Sequence, residues 1–206
     1  SNLSSCLWDD VILRLHGDYR ITRLLPSVDL KNDYVGVRWN FEQLSSGNSA
    51  KNIEMCLQVF DNKGAIMAER TLHNIVCDGE GIIELHNSCK TWSPEEPNCY
   101  KLIATLKQGD IPQDVFEMTL GIREFTTEGL GFVLNNKPVV LRAGSVVWHR
   151  WLRDPEADTL AFDTEWFEKN IVQRLKDHGA NTLRFHLGMP PEKILDLCDR
   201  HGLLVQ

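Results

Sequence analysis

From about residue 20 to about residue 125 the apolar residues of this chain recur at every second position, and a period of two admits strands with one buried face. Val35, Val37, Trp39 and Phe41 fall on one side of such a strand, with Gly36, Arg38 and Asn40 on the other. Ile53, Met55, Leu57 and Val59 repeat the pattern. Turn-forming residues punctuate the runs. Asp61-Asn62-Lys63-Gly64 and Asp78-Gly79-Glu80-Gly81 read as hairpin turns, and Gln108-Gly109-Asp110 separates a strand over 100–107 from one over 114–123. About seven short antiparallel strands fit this stretch, which predicts an immunoglobulin-like β-sandwich over residues 17–125. The Cys, Trp, Cys spacing of antibody domains is absent. Upstream, Leu7 to Leu15 reads as a lone strand in which Val11, Leu13 and Leu15 alternate.

After about residue 130 the pattern changes to strand, helix, strand, helix, strand, which implies right-handed crossovers and a parallel sheet. Phe132 to Leu134 and Val139 to Leu141 flank a turn at Asn135-Asn136-Lys137-Pro138, where asparagine tolerates a left-handed backbone. Asp163 is placed to cap a helix carrying Phe167, Ile171 and Leu175 at helical spacing, and Gly179 stops it. A strand from Thr182 to Leu187 follows. Pro190 and Pro191 open a second helix with Ile194, Leu195 and Cys198 on one stripe, and Gly202 ends it before a strand at Leu203 to Val205. The fold class expected is therefore mainly β plus α/β.

Composition excludes several partners. The net charge of −7 comes from acids scattered along the chain, which argues against a nucleic-acid or anionic-membrane surface. No run approaches the roughly 18 apolar residues of a membrane span. Six cysteines show neither a CxxC pair nor histidines at zinc-finger spacing, so free thiols are expected, with no metal and no cofactor. Cys89 and Cys99 flank a proline-rich corner, and sequence alone leaves a pairing between them open.

Three segments in order carry a family resemblance. Thr91-Trp92-Ser93-Pro94-Glu95-Glu96-Pro97-Asn98-Cys99-Tyr100 resembles the Trp-Ser-Pro-x-x-Pro-x-Leu-Tyr corner in the sandwich of glycoside hydrolase family 2. Gly121-Ile122-Arg123, followed by Phe132-Val133-Leu134-Asn135-Asn136-Lys137-Pro138 and Leu141-Arg142-Ala143-Gly144, is similar to that family's Gly-x-Arg entry, hairpin and first barrel strand. Asn181-Thr182-Leu183-Arg184 and Leu197-Cys198-Asp199-Arg200-His201-Gly202-Leu203-Leu204-Val205 resemble its second strand and its approach to the third. Cys6-Leu7-Trp8-Asp9-Asp10-Val11 also resembles the exit from its N-terminal jelly roll. The resemblance implies that residues 1–16 are the last strand of a jelly roll, and that residues 126–206 begin a (β/α)8 barrel, left incomplete. The departures are local: where the family runs Arg-Gly-x-Asn-x-His, this chain has Arg142-Ala143-Gly144-Ser145.

The implied activity is retaining hydrolysis of β-linked sugars, which needs two carboxyl groups about 5–5.5 Å apart. In the family these follow barrel strands 4 and 7, whereas three strands are read here, so this chain is expected to carry no catalytic residue. Asp154, Glu156, Asp158, Asp163, Glu165 and Glu168 lie in a loop and a helix start, where solvation and capping account for them. Barrel enzymes hold substrate at the C-terminal ends of their strands, which nominates Arg142, Trp148, His149, Arg184 and His186 as substrate-binding. Guanidinium groups there orient carboxylates, and an aromatic ring beside a histidine offers a stacking face and a hydroxyl partner. The partner expected is a carbohydrate substrate of a longer parent protein. A partial barrel with open edges is also expected to self-associate. The rival reading is a non-catalytic carbohydrate-binding or structural sandwich module.

Overall fold

The computed structural model describes residues 11–44, 52–147, 160 and 162–206. Its first part is built from β1 (Tyr19–Asp29), β2 (Tyr34–Gln43), β3 (Ile53–Phe60), β4 (Ile66–Leu72), β5 (Asp78–Glu84), β6 (Cys99–Gln108) and β7 (Ile111–Gly121). They form two antiparallel sheets with strand orders β1-β2-β5 and β4-β3-β6-β7. The two inner faces share one core. The apolar positions expected for β2 and β3 all reach it: Val35, Val37, Trp39, Phe41, Ile53, Met55, Leu57 and Val59 are at most 4% exposed. Burial of each aliphatic member contributes roughly 1.5–3 kcal/mol relative to exposure.

One predicted turn is a strand. Asp78-Gly79-Glu80-Gly81 opens β5, which pairs antiparallel with β2. These glycines serve close packing, because a Cβ at Gly79 would lie 2.6 Å from Cζ2 of Trp39 and one at Gly81 would lie 2.7 Å from Cδ1 of Leu72. The indole of Trp39 therefore lies against bare backbone, and its Nε1–H donates to the Val76 carbonyl at 3.0 Å. The strand expected over 114–123 starts earlier, at Ile111, and ends at Gly121.

Upstream of the sandwich, residues 11–17 form no strand. The lone strand expected from Leu7 is therefore absent over its described part, and residues 7–10 lie outside the described residues. Val11, Ile12, Leu13 and Leu15 are 80–86% exposed. The segment is tied to β7 instead, through Arg14 to the buried Asp114 carboxylate at 2.8 Å and Asp18 N–H to Gln113 Oε1 at 2.8 Å.

Beyond β7 comes an antiparallel meander of β8 (Phe125–Glu128), β9 (Gly131–Leu134) and β10 (Lys137–Val139). Asn135 and Asn136 turn the β9–β10 hairpin with φ of 51° and 63°, as the Asn-Asn pair predicts. The run expected over Val139 to Leu141 on the far side of this turn sits earlier, with only Val139 of it in the hairpin strand. Lys137–Val139 pairs back onto β9, and the parallel sheet begins later, at β11 (Ala143–Val146).

The α/β unit follows as β11, a helical stretch, β12 (Thr182–Phe185), α3 (Glu192–His201) and β13 (Leu204–Val205), with parallel order β11-β12-β13. The helical stretch consists of α1 (Thr164–Phe167), a π-helical segment (Glu168–Val172) and α2 (Gln173–Asp177). Asp163 caps α1 as expected, its Oδ1 accepting from Trp166 N at 2.9 Å. The π segment shifts the buried face by one residue, so Val172 is fully buried where spacing predicted Ile171, which is half-buried. A second core of Val146, Phe167, Val172, Leu183, Phe185, Ile194, Leu197, Cys198 and Leu203 lies between this sheet and its helices.

The proline-rich corner joins the two parts. Trp92 is fully buried and its Nε1–H donates to the Asp199 carbonyl of α3 at 2.8 Å. The Arg123 guanidinium lies 4.3 Å above the same ring. Lys176 Nζ bridges the carbonyls of Pro94 and Gly202 at 2.7 and 3.1 Å.

Candidate functional site

Strand alternation sorts the residues of the parallel sheet onto two faces. Gly144, Val146, Leu183 and Phe185 face the helices: a Cβ on Gly144 would meet Cδ2 of Leu175 at 2.4 Å, and the other three belong to the second core. In the parallel register Ser145 pairs with Arg184, so these two side chains stand together on the opposite, exposed face. Arg184 is thus the exposed member of a strand whose other three residues are buried. At the C-terminal edge, His186 N donates to the Val146 carbonyl at 2.8 Å and Phe185 N to the Gln206 carbonyl at 2.9 Å, carrying the ladder past the last strand residues. The next residue, Leu187, has φ of 59° and is 73% exposed. A branched residue in the left-handed region costs about 1–3 kcal/mol, and such strain concentrates at functional sites. It also explains why β12 stops short of the predicted Leu187.

Arg142 lies elsewhere. It precedes β11, at the N-terminal edge of the sheet, because the parallel strand begins one residue after it. Its Nε donates to the Gly179 carbonyl at 2.7 Å, and its N–H donates to Asn181 Oδ1 at 2.8 Å. Asn181, 2% exposed, also gives its Nδ2 to the Val140 carbonyl at 2.9 Å, so it splices the entry of β11 onto the start of β12. The sequence offered this asparagine as the first residue of the segment resembling the second barrel strand, and not as a site residue. Of the five nominated residues the structure thus puts Arg184 in β12 and His186 just past its C-terminal end, and Arg142 at the opposite end of the sheet. Trp148 and His149 lie outside the described residues.

Two concavities bear on the site. A groove of about 830 Å³ runs between the corner residues Ser93 to Glu96, the β9–β10 hairpin and Arg142. It opens on the N-terminal side of the sheet, away from Arg184 and His186, where a substrate held at the C-terminal strand ends does not reach. A smaller one, about 250 Å³, is lined by Gly144, Val146, Ile171, Leu175 and Leu183 and by the polar Ser145, Asn170, Arg174 and His178, along the edge of β11 that no described strand pairs with. A mainly apolar slot beside a strand edge that is unpaired among the described residues is what an adjoining strand and helix would fill.

The sequence profile of the glycosyl hydrolases family 2 matches residues 20–123, just over half of the 206-residue chain. The β-galactosidase BoGH2A of Bacteroides ovatus is 26% identical over 184 residues, 87% of this chain and 21% of that protein. A β-glucuronidase of Formosa agariphila is 25% identical over 164 residues, 75% of this chain and 16% of that protein. Among solved structures, a glycosyl hydrolase family 2 member from Bacteroides cellulosilyticus superimposes with a TM-score of 0.74 at 21% identity, covering 88% of this chain and 24% of that one. That likeness is one of fold. The chain spans at most about a quarter of the length of each of these proteins.

Proposed function

This chain belongs to glycosyl hydrolases family 2, and we therefore propose that it forms the sandwich and the opening strands of the catalytic barrel of a retaining glycosidase acting on β-linked sugars. On this reading residues 17–125 are the sandwich and 126–206 begin the barrel. The observation that carries this reading is the pairing of Ser145 with Arg184 on the face of a parallel sheet turned away from its helices. In a closed (β/α)8 barrel that face is the interior, and its C-terminal rim holds the substrate. Among the described residues neither edge of the sheet β11-β12-β13 is paired, and a mainly apolar slot runs along β11, which supports continuation of the sheet by further strands.

The nucleophile and the acid/base are supplied by residues beyond these three strands. The acids of the helical stretch have other tasks: Asp163 caps α1, and Glu168 holds His201 at 2.6 Å. Arg184 supplies a charge-assisted donor that orients a catalytic carboxylate, while His186, with Trp148 and His149 from the segment after β11, contacts the sugar. Arg142, engaged at the opposite end of the sheet, stands outside that set.

The test is hydrolysis of aryl β-glucuronides and β-galactosides by the 206-residue chain and by the polypeptide of the whole reading frame that contains it. The whole polypeptide is expected to release the β-anomer first from at least one of them, and the chain alone to release none. Turnover by the chain alone, or inversion by the whole protein, contradicts the reading.

A further inference from the structure

We propose that the seam between the sandwich and the α/β unit is a proton-linked clasp, which closes more tightly when the carboxyl group of Asp199 is neutral. The geometry sets two acids against one cation. Asp196 and Asp199 lie one helical turn apart on α3 and face the sandwich, where Asp196 Oδ1 accepts from Thr119 Oγ1 of β7 at 3.1 Å. Asp199 receives Arg123 Nη1 at 3.4 Å, a long contact, because the same guanidinium is committed to the ring of Trp92. The backbone carbonyl of Asp199 accepts from Trp92 Nε1 at 2.8 Å and from the Cys99 thiol of β6 at 3.4 Å. One residue of α3 thus meets the corner, β6 and the segment after β7. Its side chain is 32% exposed, so the charge is held largely out of water.

Burial pushes the Asp199 carboxyl above the 3.8 usual for an aspartate, Arg123 pulls the other way, and the neighbouring Asp196 adds to the rise. Cys99 and Cys198 beside it are thiols pushed up to about 11 and about 12 by burial, so they bring no charge near neutral pH. Arg200, on the same helix, acts on the Cys99 thiol in the same cluster. A carboxyl whose folded value lies above its unfolded one binds its proton more tightly in the closed state. The closed seam therefore gains stability as pH falls from the folded value toward 3.8, and loses that gain as pH rises back through the folded value. A buried ion pair whose desolvation outweighs its attraction behaves this way.

The experiment compares thermal unfolding of the chain and its Asp199→Asn variant between neutral pH and about pH 4. The variant is expected to unfold about 2–5 °C higher than the wild type at neutral pH, with the gap closing on acidification. A variant less stable at neutral pH, or a gap that does not change with pH, overturns the clasp. Carboxyl ¹³C titration of Asp199 in the wild type tests the clasp without relying on the variant: a midpoint above 3.8 supports it and one at or below 3.8 refutes it. Neither readout depends on glycosidase activity.

Discussion

At single residues, the junction of the two parts depends on positions where one atom more has no room. Gly202 ends α3 with φ of 71° and lies against the corner, where a Cβ would come within 2.4 Å of the Pro94 carbonyl oxygen. It is at once the left-handed cap of the helix and the contact surface for the sandwich. Gly202→Ala is therefore expected to destabilise the chain by about 1–3 kcal/mol from backbone conformation alone, with the contact adding to that. Denaturant unfolding measures it, and a variant within experimental error of wild type shows that the corner does not seat there. The cap was legible in the sequence, since glycine after a helical stripe signals a stop; the contact was not, because it joins residues far apart in the chain.

Among the strands and helices, local period and turn chemistry read the sandwich core well, and failed where a neighbour overrode them. Alternation placed every core residue of β2 and β3 correctly, because one buried face enforces it. Asp78 to Gly81 carries strong turn signals yet is strand, because Gly79 and Gly81 make room for Trp39 and Leu72. The π segment likewise moved the buried position from Ile171 to Val172, a shift that an ideal helical period does not foresee. The same limits applied at the candidate site: the strand bearing Arg184 was legible, whereas Arg142, nominated at a C-terminal strand end, lies at the N-terminal one because the parallel strand starts only at Ala143. The outer edges of β11 and β13, unpaired among the described residues, carry a prediction of their own, since such edges recruit other strands. Sedimentation velocity on the isolated chain is expected to show concentration-dependent association; a single monomeric boundary at high concentration, with strong amide protection along β11 and β13, contradicts open edges.

Across the chain as a whole, two cores are locked by one corner: Trp92, Arg123 and Lys176 tie the sandwich to α3 and to the turn after it. The sandwich is thereby a base for the three-stranded parallel sheet, and it fixes where the exposed face of that sheet points. If that face, marked by Ser145 and Arg184, lines a sugar site, then truncating the arginine must slow turnover without loosening the fold. The deciding experiment is kcat/KM for an aryl β-glycoside with Arg184→Ala in the whole polypeptide, beside the thermal midpoint of the same variant. Loss of a charge-assisted hydrogen bond predicts a fall of about 10–100-fold with the midpoint nearly unchanged. An unchanged kcat/KM would mean that the Ser145 and Arg184 face does not line the sugar site.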